Sequence, residues 1–127
     1  MINTDDPYGR RLLKALPEVI GFGLNHSVET TLTGRIIENS RKGIVMECAS
    51  GHKEWIVSSP LCGRHNAWNL LAAQGAAMAM GLEPEDFSVL NDTEQVPGRL
   101  EKIENQAGLD IYVDYAHTPD ALENVCS

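Results

Sequence analysis

Basic residues are scarce in this sequence. Ten lysines and arginines stand against eighteen acids in 127 residues, a formal net charge of -8. Sequence-independent nucleic-acid binding needs clustered cations on the phosphates, so that class of partner is not expected. A nucleotide is not excluded, because a few placed arginines, backbone N–H groups and Mg²⁺ can hold a triphosphate locally. Cysteine is scarce too. Cys48, Cys62 and Cys126 are odd in number and widely spaced, so no disulfide framework is expected. Cys62 and His65 have a Cys-x-x-His spacing, but no second pair stands nearby, and small buried or half-buried thiols are the expectation rather than zinc. Long hydrophobic runs are missing. The most apolar stretch, 70–82, is too short and too rich in Ala and Gly to span a bilayer. The opening MINTDDPYGRR is polar from its third residue and carries no export signal, so the sequons at Asn25 and Asn91 are expected to be chance matches. Repeats and low-complexity segments are also absent. With 43% hydrophobic and 22% charged residues, the chain is expected to be globular, as one domain or parts of two.

The pattern along the chain is that of an α/β protein. Residues 1–4 read as the end of a strand. Pro7 after Asp5-Asp6 suits the first turn of a helix, which should run to about Leu16 and stop at Pro17. Val19–Phe22 is a short apolar strand. Thr30–Glu38, with Leu32, Gly34 and Ile36 on one side, Gly43–Cys48 and Lys53–Ser58 are separated by NSRKG and Ser50-Gly51-His52, the signature of an antiparallel meander. Asn66 to about Met80 is a helix whose Ala-lined faces allow close packing on a sheet, ended near Gly81. Pro84 opens a short helix to about Leu90. After a break at Val96–Arg99, 100–104 and 110–114 read as strands, and Pro119 starts a last helix.

Three stretches carry possible chemistry. In GRHNAWNLLAA, Asn66 and Asn69 are three apart at a helix start and so share a side of the first turn. A carboxamide can read an adenine edge bidentately, and the turn's free N–H groups can meet an oxygen ligand. The alternative is an Asn66 N-cap with an exposed Asn69. In VPGRLE, proline and glycine fix a turn that presents Arg99. A guanidinium held so suits a phosphate, and a solvated arginine is the other reading. In IYVDYAHTPDAL, an apolar strand ends in Asp114 before a loop and a helix start. Ligands of α/β folds bind beyond the carboxyl ends of strands, and an aspartate there can accept from a ribose hydroxyl. His117 is read as a loop histidine with a possible phosphate contact.

The order and wording of DDPYGRRL, GRHNAWNLLAA, VPGRLE and VDYAHTPDAL resemble the Mur ligase family, in its MurE-type tripeptide-synthetase branch, over nearly the whole chain. The resemblance implies the second half of a central ATP-binding domain over residues 1–96. That part would hold a remnant of the parallel sheet, a small antiparallel sheet and the Ala-rich helix. The beginning of a Rossmann-like C-terminal domain would follow over 97–127. It implies ATP and Mg²⁺ as cofactors. His65, Asn66 and Asn69 would lie on the adenine side, Arg99 on ATP from the domain junction, and Asp114 on the ribose. It implies small-molecule substrates, namely ATP, UDP-MurNAc-L-Ala-D-Glu and a diamino acid (meso-diaminopimelate or L-lysine). It further implies a cytoplasmic place in peptidoglycan synthesis, with no membrane partner.

The sequence contains no G-x-x-x-x-G-K-[ST] loop to cradle the β- and γ-phosphates. The family's carbamylated lysine and Mg²⁺-binding residues are likewise absent, so no catalytic or metal-ligating residue is assigned. The expectation is a fragment, silent by itself and short of its missing remainder, with the strand at Val19–Phe22 and one face of the 66–80 helix left partly uncovered. Two other readings are a stand-alone adenine-nucleotide-binding module and a piece of a cyanophycin-synthetase-like enzyme.

Overall fold

The computed structural model describes residues 1–16, 18–25, 30–40 and 42–126, with only the backbone of Asn124. The expected stop at Pro17, one residue of the NSRKG turn, the second and third residues of the Asn25 sequon, and Ser127 lie outside those residues. Five strands form one sheet in chain order: β1 (Ile2–Asn3), β2 (Gly21–Gly23), β3 (Leu32–Ser40), β4 (Gly43–Ser50) and β5 (Lys53–Ser59). β1, β2 and β3 run parallel, and β3, β4 and β5 antiparallel. The parallel part and the meander are therefore joined through β3 rather than standing as separate sheets. The second apolar segment pairs only over Gly21–Gly23, so Val19 and Ile20 precede the strand. A bulge at Ile36/Glu38 leaves Ile37 as the extra residue, 53% exposed.

Helix α1 (Pro7–Ala15) crosses back over β1. Its N-cap is Asp6, whose carboxylate accepts from Tyr8 N (2.6 Å) and Gly9 N (3.4 Å), and Pro7 sits where a missing N–H costs nothing. Helix α2 (Arg64–Ala79) starts two residues before the expected Asn66, from a Gly63 N-cap at φ 89°. It lays Ala67, Leu70, Leu71, Gln74 and Gly75 on the sheet, against Phe22, Leu32, Ile44, Met46, Cys48 and Val57. Leu32 and Gly34 are buried and Ile36 packs against this core, the alternation read from the sequence. Gly34 lets Leu71 approach: a Cβ there would lie 2.9 Å from its Cδ2. Gln74, the largest buried polar side chain among the described residues, is bonded at both ends of its amide. It accepts from Trp55 Nε1 (2.7 Å) and donates to Leu70 O (3.0 Å). Burial pushes the neighbouring Cys48 thiol up to about 11, against the lowering effect of Gln74, so it stays a neutral core group.

Of the segment expected to be partly uncovered, Phe22 is buried with Gly21 and Gly23 between the neighbouring strands, whereas Val19 and Ile20, which precede the strand, are half-buried. The expected uncovered helix face is present, at Ala73, Ala76, Ala79 and Met80, and large apolar residues are also exposed elsewhere, among them Tyr8 and Leu12 on α1, Ile56, Val89 and Tyr115. After α2 the chain forms a 3-10 helix, Pro84–Asp92, whose Phe87 packs on Trp55 (5.8 Å between ring centroids). A separate two-stranded ribbon follows, β6 (Glu101–Ile103) and β7 (Ile111–Val113), and then α3 (Pro119–Cys126).

Two glycines distinguish obligatory from incidental closeness. A Cβ on Gly9 would collide with the Asn3 carbonyl, which is backbone of the parallel edge; one on Gly75 would meet only the flexible end of Met1. In urea unfolding, Gly9→Ala is expected to cost about 2–3 kcal/mol. Gly75→Ala should fall within about 1 kcal/mol of the parent, since helix propensity offsets the contact. Equal costs would show that α1 does not dock on β1 in this way.

Candidate functional site

Two carboxylates build the site, and both act on backbone. The first is Asp5, just past the end of β1. It accepts from Leu24 N (2.8 Å), Asn25 N (3.1 Å), Asn25 Nδ2 (2.9 Å) and Trp68 Nε1 (2.7 Å). These bonds tie the carboxyl ends of β1 and β2 to the first turns of α2. Ligand crevices of open α/β sheets form at such strand ends. Burial pushes the Asp5 carboxyl upward, but the bonds from Trp68, Leu24 and Asn25 together outweigh it and leave its pKa below the ordinary value.

The second is Asp114, just past β7. Its Oδ2 accepts from Leu100 N (2.8 Å) and its Oδ1 from Ala116 N (2.7 Å), while Tyr115 N donates to Gly98 O (2.9 Å). These bonds close the Val96–Leu100 turn onto the end of β7. Gly98 has φ 70°, and Leu100 has φ 48°, the sole non-glycine in the left-handed region among the described residues. A branched apolar residue pays for that conformation, so the Asp114 bond to its N–H is what holds it. The Leu100 side chain then lies against Gly63: a Cβ there would be 3.0 Å from Leu100 Cδ1. The turn is thereby seated on the N-terminus of α2.

Between these segments lies a cavity of about 340 Å³, lined by Arg64, His65 and Trp68 of α2, Arg99 of the turn, Asp114 and Ala116 after β7, and Ala121 and Val125 of α3. Residues some fifty positions apart are brought together: His65, Arg99 and Asp114 of the sequence-derived set all face it. Asn66 and Asn69 do not line it. Asn66 is 6% exposed, donates to Cys62 O (2.7 Å) and accepts from Asn69 Nδ2 (3.1 Å). His117 is exposed outside the cavity, with Nδ1 2.9 Å from Tyr115 O and its ring edge-on to Tyr115.

Arg64 and Trp68 also line the cavity; both lie within GRHNAWNLLAA but are not among its candidate residues. The signal was the helix start. With Arg64 as first residue, Arg64, His65 and Trp68 fall within about 100° of the helix circumference, and Asn66 about 200° round from Arg64. Placing the start at Asn66 hid that face. Asp5 was read only as part of a capped helix entrance; its bond to Trp68 spans 63 positions and no local pattern encodes it.

Residues 1–77 match the Mur ligase middle domain family. The chain belongs to the Mur ligase family. It is 48% identical to the UDP-N-acetylmuramoyl-L-alanyl-D-glutamate--2,6-diaminopimelate ligase of Lawsonia intracellularis and 41% identical to the enzyme of that name from Geobacter metallireducens, each over 98% of this chain. It spans 27% and 24% of those relatives' lengths, about a quarter. A solved 2,6-diaminopimelate ligase superposes with TM-score 0.75 at 29% identity, covering 97% of this chain and 26% of that one. MurF from Acinetobacter baumannii superposes with TM-score 0.81 over 96% of this chain and 27% of its own; at 22% identity that likeness concerns the fold alone.

The lining of this Mur ligase cavity suits part of a nucleotide. It has the Arg99 guanidinium for anionic oxygens, an imidazole and one carboxylate. Each Asp114 oxygen has a lone pair beyond its backbone bond with which to accept from a hydroxyl. The described residues do not suit Mg²⁺: among them no group of three or more His, Cys, Asp or Glu is placed to hold a metal.

The lowered pKa of Asp5 gives a pH signature. A depressed carboxylate stabilises the fold above the ordinary carboxylate range, and that contribution is lost as pH falls through its folded value. Asp5→Asn is expected to cost about 1–2 kcal/mol at neutral pH, as the part-buried Leu24 and Trp68 donors lose a charged acceptor. The difference between parent and variant should shrink below about pH 4. A pH-independent difference in denaturant midpoints would show that Asp5 is not a charged anchor.

Proposed function

We propose that this chain is the adenosine-facing part of an ATP-dependent ligase of peptidoglycan precursor synthesis, adding a diamino acid to UDP-MurNAc-L-Ala-D-Glu. The observation that carries the reading is the shared cavity, with His65 from α2, Arg99 from the turn and Asp114 from beyond β7 on one concave surface. Arg99 would contact a phosphate oxygen, Asp114 would accept from the ribose, and His65 would lie on the base side. Asn66 and Asn69 remain proposed for the adenine side. In the structure they form a carboxamide pair that braces the helix turn carrying His65. His117 is proposed as a loop contact only. The proposed domain boundary is at 96/97, supported by the separate ribbon that begins after the Val96–Leu100 turn.

In the proposed reaction the γ-phosphoryl group of ATP passes to the substrate carboxylate, giving an acyl phosphate and ADP. The amine of the diamino acid then attacks that carbonyl, an amide forms, and phosphate leaves with the C–O electron pair as the amine loses a proton. The names of the relatives favour 2,6-diaminopimelate as the amine. Mg²⁺ supplies charge neutralisation in phosphoryl transfer generally, and its ligands would come from outside the described residues. The contribution of this chain is to bind and orient the nucleoside end. No described helix is long and apolar enough to cross a membrane. A cytoplasmic site of action, where ATP and a nucleotide-sugar substrate meet, and pairing with the remainder of such an enzyme complete the proposal.

The test is a chimera in which residues 1–127 replace the corresponding segment of the Lawsonia relative. It is expected to release phosphate in the presence of ATP, UDP-MurNAc-L-Ala-D-Glu and diaminopimelate. Arg99→Ala in that chimera should lower kcat/KM for ATP by roughly 10- to 100-fold, the worth of a hydrogen bond to a charged group. The 127 residues alone should release none above background. An inactive, folded chimera, or turnover indifferent to Arg99, would count against the proposal.

A further inference from the structure

The cavity contains an aromatic wall that the roles set out above leave unused. Trp68 lines it, and its indole cannot swing freely: Nε1 donates to Asp5 Oδ2 at 2.7 Å, and Asp5 is itself fixed by three more bonds. The guanidinium of Arg64, one helical turn earlier, lies over the ring with its Cζ 5.5 Å from the ring centroid. A planar cation and a fixed indole therefore stand together on one side of the pocket. Asp114 stands on the segment across from them, and its oxygens have capacity left for a hydroxyl. The carboxamides of Asn66 and Asn69 are turned into each other and toward Cys62.

We propose that Trp68, with Arg64, is the surface on which a purine base stacks in this cavity, so that Trp68 is a specificity-determining residue of the nucleotide site. The inference rests on the nucleotide reading of the cavity and adds to it the groups that meet the base face. Stacking uses the π-face that every base offers, whereas the phosphate and ribose contacts assigned to Arg99 and Asp114 do not distinguish a purine from a smaller ring. The wall accordingly favours a large flat base over a pyrimidine. Asp5 is a positioning residue here: it acts on the base only through the indole.

The chain holds two tryptophans, Trp55 and Trp68, so its ¹H–¹⁵N spectrum has two indole cross-peaks. The Trp55 indole is bonded to Gln74 beneath the sheet and serves as an internal control. AMP is titrated into the full 127-residue chain to about 20 mM, because isolated contacts of this kind bind weakly. The Trp68 indole peak should move and the Trp55 peak stay. Trp68→Leu should weaken AMP binding about tenfold or more, and Trp68→Phe, which keeps a ring, by about threefold or less. Arg64→Ala, an exposed position that leaves the core intact, should weaken it about threefold and supports the inference even if Trp68→Leu does not fold. CMP should bind more weakly than AMP to the parent and equally to Trp68→Leu. AMP binding that shifts the pocket residues yet is indifferent to Arg64→Ala and, where it folds, to Trp68→Leu, with no movement of the Trp68 peak, overturns the stacking wall and leaves the nucleotide reading standing. No shift anywhere in the cavity at the highest AMP concentration overturns both.

Discussion

The site depends on one carboxylate bonding two backbone amides. Asp114 accepts from Leu100 N and Ala116 N, and in doing so holds Leu100 in a left-handed conformation that a leucine does not adopt unaided. Its consequence is spatial. With the turn closed, Leu100 is seated against Gly63 and Arg99 is carried to the N-terminus of α2. Without that clip the turn would keep the bonds of Arg99 N to Val96 O, Gly98 N to Glu101 Oε2 and Tyr115 N to Gly98 O, but Leu100 would lose the bond to its N–H and Arg99 would be less firmly placed for an anion. A residue expected to act on a ligand is thus first a structural acceptor, and its remaining lone pairs are what a ligand would use.

Asp5 plays the corresponding part on the other wall. It lies where the parallel strands end, and its four bonds reach β2 and α2. The two acids explain how a chain of net charge -8 can present a cationic pocket. The nearest carboxylates are spent on N–H groups, while Arg64 and Arg99 are left facing the cavity. Sign and position of charge are separate properties; net charge governs solubility and steering, and the placed arginines govern the site.

The architecture was legible wherever it followed from periodicity and punctuation. Alternation gave the face of β3 that carries Leu32, Gly34 and Ile36. Pro7 after Asp6 marked the entrance of α1, and the glycines at 51 and 81 marked turns. Two things were less visible. The start of α2 was misplaced by two residues, because Gly63 caps through its backbone freedom at φ 89° and Asn66 looks like a cap. That shift rotated the reading from the Arg64–His65–Trp68 face to the Asn66–Asn69 pair. The Asp5–Trp68 bond was invisible for another reason: it is a tertiary contact between a strand end and a helix, and nothing near either residue announces it. The resemblance implies that His65, Asn66, Asn69, Arg99 and Asp114 meet around one adenosine; the fold brings His65, Arg99 and Asp114 to one cavity, through a turn locked against a helix start, and leaves Asn66 and Asn69 off its lining.

In the proposed function, residues from α2, the Val96–Leu100 turn and the segment after β7 surround one adenosine. Isotope-filtered nuclear Overhauser contacts between unlabelled AMP and the ¹³C-labelled chain test it most directly. Contacts are expected from the base protons to the Trp68 ring and from the ribose protons to the methyl groups of Ala116 and Ala121. Contacts confined to another hollow, such as the one at Leu24, Thr33 and Ala49 on the sheet or the one at His52, Trp55 and Pro84, would contradict it.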